Sequence, residues 1–118
     1  MFLKVLRAKI HRATVTEADI EYIGSITIDP DIYEAVGVTA GEMVLVADLS
    51  NGERFETYVA AGTRGSGGIC VNGAAARLVH VGDRVIIMAF GYVTPEEARQ
   101  VKPAVVLMNE KNQIVRKL

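Results

Sequence analysis

Val38-Thr39-Ala40-Gly41-Glu42-Met43-Val44-Leu45-Val46 returns, 41 positions later, as Val79-His80-Val81-Gly82-Asp83-Arg84-Val85-Ile86-Ile87. At that one offset Val38 meets Val79, Gly41 meets Gly82, Glu42 meets Asp83 and Val44 meets Val85. Leu45 and Val46 meet Ile86 and Ile87, and Ala35 upstream meets Ala76. Each copy reads as a short helix, a Val-x-x-Gly-acid turn and an aliphatic strand. Gly-Asp-x-Val alone is a common entry into a strand, but seven aligned positions make an internal repeat. Two helix-turn-strand units in a small β-rich chain predict a pseudo-two-fold β-barrel, whose closure hides strand edges.

The rest of the chain fits around that repeat. Leu3–Ile10 reads as a strand, and Tyr22–Ile28 as a second one interrupted by Gly24. Asp29-Pro30-Asp31 supplies an N-cap, a proline at the first helical position and an acid in the first turn, so a short helix follows and stops near Gly37. Met43–Leu49 and Arg54–Ala61 flank Asn51-Gly52, a strong hairpin signal. A glycine-rich loop spans Gly62–Gly68, and Val71-Asn72-Gly73 opens a short Ala-rich helix. Arg84–Val93 is a strand, Thr94 and Glu97 are spaced as a capping box, and Ala104–Asn109 with Gln113–Lys117 form a terminal hairpin.

Composition sets the bounds. The chain has 118 residues, the size of one domain, with 50% hydrophobic and 23% charged residues, which excludes disorder. A net charge of −1 without a basic run makes nucleic acid and anionic membrane poor partners. No apolar stretch approaches the roughly 20 residues of a membrane span. The N-terminus carries Lys4, Arg7, Lys9, His11 and Arg12 and lacks the apolar run of a signal peptide. The single cysteine, Cys70, has no intrachain partner for a disulfide; these features together predict a cytoplasmic protein. Mean hydropathy is +0.24, although there is no Trp and only three Phe and four Tyr. That aliphatic surplus fits either a dense β-core or a surface hidden against another copy of the chain.

Few residues advertise chemistry. No Cys/His cluster has metal spacing. Gly65-Ser66-Gly67-Gly68 lacks the Lys-Ser/Thr of a phosphate loop. His11 and His80 are isolated, and Cys70, between Ile69 and Val71, reads as a small buried hydrophobe. Strand alternation puts Arg7, Lys9 and His11 on one face and Arg54, Glu56 and Tyr58 on another. Such polar faces are either solvated outer surfaces or a basic pocket for carboxylates with a tyrosine beside it. Gly24-Ser25 interrupts an apolar strand. A serine hydroxyl can attack the preceding carbonyl and turn the amide into an ester. Glycine suits that preceding position because it tolerates strained backbone angles and leaves its carbonyl unshielded.

Taken in order, several segments resemble one family across nearly the whole chain: the pyruvoyl-dependent aspartate 1-decarboxylases. They are Lys9-Ile10-His11-Arg12 with Val15-Thr16, Tyr22-x-Gly24-Ser25, and Asn51-Gly52-x-Arg54-Phe55-x-Thr57-Tyr58. Arg64-Gly65-Ser66, Val71-Asn72-Gly73-Ala74-Ala75-Ala76 and Val81-Gly82-Asp83-x-Val85-Ile86-Ile87 complete the set. The resemblance implies a mainly β fold, a six-stranded double-psi β-barrel with short helices, which agrees with the repeat. It also implies a homotetramer, which fits the aliphatic surplus.

What the resemblance implies for chemistry starts with self-cleavage of the single domain 1–118. Ser25 attacks the Gly24 carbonyl, the ester undergoes β-elimination, and hydrolysis of the resulting dehydroalanine leaves a pyruvoyl group at position 25. The pieces are 1–24 and 25–118, and Thr57 stabilises the oxyanion or orients the scissile bond. A Schiff base between the pyruvoyl carbonyl and L-aspartate then acts as electron sink while the α-carboxylate leaves as CO2. Tyr58 is the proton donor. Lys9 and Arg54 bind substrate carboxylates, with Thr57, Gly73, Ala74 and Ala75 lining the substrate site and His11, Tyr22 and Asn72 in support. The product is β-alanine, a precursor of pantothenate and coenzyme A. Neither pyridoxal phosphate nor a metal is expected, and an accessory maturation factor joins L-aspartate among the expected partners. Ala47 departs from members that carry a large aromatic there, which leaves the shape of the pocket rim open. The alternative is a non-enzymatic double-psi barrel serving as a binding or adaptor module, which would keep its chain intact.

Overall fold

The computed structural model describes all residues, Met1–Leu118. Nine strands, β1 (Leu3–Thr14), β2 (Glu17–Asp19), β3 (Ser25–Ile28), β4 (Met43–Asp48), β5 (Arg54–Ala61), β6 (Ile69–Asn72), β7 (Arg84–Val93), β8 (Ala104–Met108) and β9 (Ile114–Lys117), pair in the order β2-β6-β3-β5-β4-β7-β1-β8-β9. Short helices α1 (Pro30–Ala35) and α2 (Pro95–Ala98) and a 3-10 turn, Gly73–Leu78, connect them. The six consecutive strands from β6 to β1 form the barrel. It closes where the chain just beyond β1 returns to β6: the Thr16 N–H donates to the Ile69 carbonyl at 2.8 Å, and the Ile69 N–H to Thr16 Oγ1 at 2.9 Å. The other three strands extend this barrel.

The repeat is visible as symmetry. Val46 and Ile87, equivalent by sequence, lie directly opposite each other in the antiparallel β4–β7 pair. On the opposite wall, Ile28 and Ile69, also 41 positions apart, face each other in β3–β6. A pseudo-two-fold axis therefore passes through both walls, and it exchanges β5 with β1. The repeated turn explains its own sequence. Gly41 and Gly82 have φ of +91° and +97°, conformations that disfavour a side chain. The Gly41 N–H donates to the Val59 carbonyl and the Val59 N–H to Glu42; Gly82, Val15 and Asp83 repeat that exchange. The acid side chains Glu42 and Asp83 accept from the N–H groups of Thr39 and His80, three residues earlier. This is a double-psi β-barrel with a pseudo-two-fold repeat, and its repeated valines and isoleucines fill the core: Val44, Val46, Val85 and Ile87 are buried.

The expected elements need five adjustments, the first being the short strand β2, which was not expected. β1 continues to Thr14 through two irregularities, the second at Arg12, whose φ of +68° marks an inserted residue. The second strand begins only at Ser25, leaving Tyr22, Ile23 and Gly24 outside the ladder. Residues Ile69–Asn72, of which Ile69 and Cys70 had no expected element and Val71-Asn72 an expected helix start, form the strand β6. The Ala-rich helix is a 3-10 turn. The glycine-rich loop is tied down: the buried Asp29 carboxylate accepts from the N–H groups of Asp31, Gly65 and Gly67. Burial works to raise the Asp29 pKa, but those donors outweigh it and hold the carboxyl below its ordinary range.

Candidate active site

Ser25 opens β3, which lies between β5 and β6. It pairs with Asn72 on β6, and the parallel β3–β5 register, Ile26 beside Val59, sets Ser25 next to Tyr58 one step earlier. Alternation then decides which side chains meet. Thr57 and Val59 turn into the barrel, whereas Arg54, Glu56 and Tyr58 turn outward. Ser25, Thr27, Cys70, Asn72 and Tyr58 share this outer face.

Although it lies on the outer face, Ser25 is only 3% exposed and Asn72 only 2%. Asn72 Nδ2 donates to Ser25 Oγ at 3.0 Å and to Thr27 Oγ1 at 3.0 Å. Its Oδ1 accepts from the Cys70 thiol at 3.0 Å. The Ser25 hydroxyl donates to the Ile23 carbonyl at 3.2 Å. Asn72 occupies the N-cap position of the 3-10 turn, yet its side chain makes no capping bond. An asparagine there usually contributes about 1 kcal/mol by capping, so its diversion to Ser25 and Thr27 gives up local stability.

Gly24 does not take a positive φ. The strained glycine is Gly73, at φ +74°. A Cβ on Gly73 would stand 2.7 Å from Gly24 Cα and 3.0 Å from Gly24 N, so the two backbones are in direct contact. Gly73 thus presses the residue before Ser25 into place, while Ala74 is exposed and Ala75 half-buried beside it. Thr57 is buried on the inner face at the level of Gly24, opposite to the Ser25 side chain. Tyr22 is exposed and lines a cavity of about 300 Å³ with Glu17, Asp19, Thr27, Cys70 and Asn72.

The cationic residues are elsewhere. Arg54 shares the Tyr58 face but is four residues away, about 13 Å between Cα atoms. Lys9 and His11 stand on β1, separated from β3 by β6 on one side of the closed barrel and by β5, β4 and β7 on the other. Lys9 pairs with Met88 and Arg54 with Ala47, so the pseudo-two-fold exchanges these two cations. Burial lowers the His11 pKa, reinforced by the positive Lys9, Arg12 and Arg84, which favours a neutral ring. Arg7, on the same face, is engaged by Glu42 and the Gly37 carbonyl. Ser25, Tyr58, Asn72 and Gly73–Ala75 are therefore gathered within one copy of the chain, and Lys9 and His11 are not.

Sequence reasoning missed Thr27 and Cys70. Their signal was the alternation of Ile69-Cys70-Val71-Asn72, which places Cys70 on the Asn72 face once that segment is recognised as a strand. Burial, with Glu17 and Asp19 adding to it, pushes the Cys70 thiol up to about 11, so it remains a donor at neutral pH.

Against known proteins, the family model described as aspartate decarboxylase matches residues 1–115. The chain belongs to the aspartate decarboxylase family. Aspartate 1-decarboxylase of Caldicellulosiruptor bescii is 57% identical over 116 residues, 98% of this chain and 91% of the relative. The Lactiplantibacillus plantarum protein of the same name is 54% identical over 118 residues, 100% of this chain and 91% of the relative. Among solved structures, the rationally designed mkDPBB_sym_86 protein is 19% identical with a TM-score of 0.48, covering 67% of this chain and 91% of its own. In this chain no three His, Cys, Asp or Glu side chains gather in a metal-binding group.

Proposed function

We infer that this chain decarboxylates L-aspartate to β-alanine and CO2 with a pyruvoyl group made from its own Ser25. One observation carries the reading. In a chain of this family, a buried serine is held by Asn72 while Gly24 is lodged against the Gly73 backbone. A small group replacing the serine side chain fits the same space, between Asn72 and Tyr58.

In maturation, Ser25 Oγ adds to the Gly24 carbonyl carbon and the Gly24–Ser25 amide becomes an ester. Loss of the Ser25 Cα proton breaks Cβ–Oγ and releases Gly24 as a carboxylate. Overall one water is consumed and one ammonia leaves, giving residues 1–24 and 25–118. Thr57, buried beside Gly24, orients the scissile carbonyl. A pyruvoyl carbonyl at position 25 supplies an electron sink for decarboxylation. The rest falls to side chains. Tyr58, adjacent in register, delivers a proton to the carbon that loses CO2. Gly73, Ala74 and Ala75 leave room for the substrate, and Tyr22 closes one side. Arg54 grips a carboxylate with two parallel donors.

Lys9 reaches this site from another copy of the chain. The outer face between Arg54 and Lys9 is aliphatic, with Met43, Leu45 and Ala47 on β4 beside Ile86 and Met88 on β7. Such a face is suited to burial against its own copy, and a homotetramer brings the Lys9 edge of one chain to the Ser25 edge of the next. The reading includes a cytoplasmic setting, in which the free Cys70 thiol persists. An accessory maturation factor, if the chain uses one, changes the rate of cleavage and not its position. The test is β-alanine formation from aspartate in dialysed protein with no added cofactor. The wild type is expected to turn over and Ser25→Ala to be inert. Equal activity in the two proteins, or dependence on added pyridoxal phosphate, would overturn the reading.

A further inference from the structure

Asn72 can present either end of its amide to Ser25. The donor end faces it, and the contact that selects this orientation, from the Cys70 thiol, comes from outside the catalytic roles assigned above; the Thr27 hydroxyl, able to donate as well as accept, holds the amide in place. Oδ1 receives the Cys70 thiol proton, and the second Nδ2 hydrogen goes to Thr27 Oγ1. Rotating the amide by half a turn would set Nδ2 against the Cys70 sulfur, a weak acceptor. At 2% exposure Asn72 has little access to water that would compensate.

We propose that Cys70 and Thr27 are positioning residues for self-cleavage, fixing the Asn72 amide so that Nδ2–H points at Ser25 Oγ. The proposal rests on the reading of Ser25 as the cleavage residue. It places the benefit in the elimination step. There the Cβ–Oγ bond breaks, its electron pair goes to Oγ, and Oγ departs as part of the Gly24 carboxylate. An N–H donor on that oxygen stabilises the charge as it develops. The reversed amide would offer Oδ1, which repels it. Burial, with Glu17 and Asp19 in the same cavity adding to it, favours the protonated thiol, so the sulfur stays a donor.

The experiment follows freshly purified precursor to its fragments by intact mass, with a parallel hydroxylamine treatment that cuts esters but not amides. Cys70→Ala is expected to slow conversion by about two- to tenfold, the rate equivalent of one neutral hydrogen bond. It should also enlarge the hydroxylamine-sensitive fraction, because the ester forms and waits. Thr27→Val, of similar shape but without an acceptor, should do the same to a similar degree. Cys70→Ser keeps a donor and should recover both the rate and the small ester fraction, which a merely structural role would not require. Wild-type speed in Cys70→Ala, or Cys70→Ser as slow as Cys70→Ala, would overturn the proposal. A wild-type chain that never cleaves at Gly24–Ser25 would instead overturn the assignment of Ser25.

Discussion

Gly73→Ala is the substitution whose effect can be worked out most fully. Gly73 has φ +74°, and left-handed backbone costs a residue with a Cβ about 1–2 kcal/mol. The new methyl carbon would also stand 2.7 Å from Gly24 Cα and 3.0 Å from Gly24 N, with the Tyr22 carbonyl at 3.4 Å. Both near atoms are backbone, so no side chain can swing aside, and overpacking of this kind costs about 1–3 kcal/mol. The expected loss is about 2–5 kcal/mol. Gly82→Ala provides the comparison. It has φ +97° but nothing within 4 Å of its added Cβ, so it should lose about 1–2 kcal/mol only. The assay is urea unfolding at one protein concentration, in a Ser25→Ala background so that every chain is uncut. In the Ser25 chain, Gly73→Ala should also retard cleavage, since Gly24 must move. If Gly73→Ala lost no more stability than Gly82→Ala and cleaved at the normal rate, the Gly73–Gly24 contact would have no part in holding the scissile bond.

Tyr58→Phe should still cleave at Gly24–Ser25, yet turn over about 10²–10⁴-fold more slowly, with β-alanine formation by the fully cleaved protein as the readout; near-normal turnover would remove the proton-donor role. Lys9→Ala and Ser25→Ala chains, each inactive alone, should regain part of their activity when refolded together, because a mixed assembly pairs an intact Ser25 edge with an intact Lys9 edge; no recovery would argue that each chain builds its site alone. Asp48, buried at the end of β4, has its carboxyl pushed up to about 6 by burial and by the neighbouring Asp83. A raised carboxyl pKa stabilises the fold while the group is protonated, so this contribution is lost as pH rises from about 4 through 6. Asp48→Asn should flatten the melting temperature across that interval, and an unchanged slope would show that Asp48 does not hold the proton.

The fold was readable in the sequence because its symmetry is written in side chains. Gly41 and Gly82 take the same positive φ, and Val46 and Ile87 meet on the axis, so one offset exposed both. Ser25, Tyr58 and Asn72 were also legible, through motif order and not through strand pattern. The strand β6 was not. Its four residues, Ile69–Asn72, are too few to show a period, and Gly73 directly after them looks like a helix boundary. Losing that strand hid Cys70 and Thr27, which both hydrogen-bond Asn72 across β3 and β6. The start of β3 was placed too early because Tyr22 and Ile23 have strand-like side chains, although both are exposed. Nor does alternation along one strand give the distance between strands. Within one chain Lys9 and Arg54 lie on opposite sides of an aliphatic face, a separation that strand alternation does not reveal.

Residue 25 is where the proposed chemistry is decided. Intact mass of the purified protein, followed by borohydride reduction in the presence of aspartate, tests it most directly. The larger fragment should begin at residue 25, weigh one ammonia less than simple hydrolysis would leave, and carry the reduced substrate adduct at that residue with activity abolished. A fragment beginning with an ordinary serine, or an adduct on a lysine with residue 25 untouched, would contradict it.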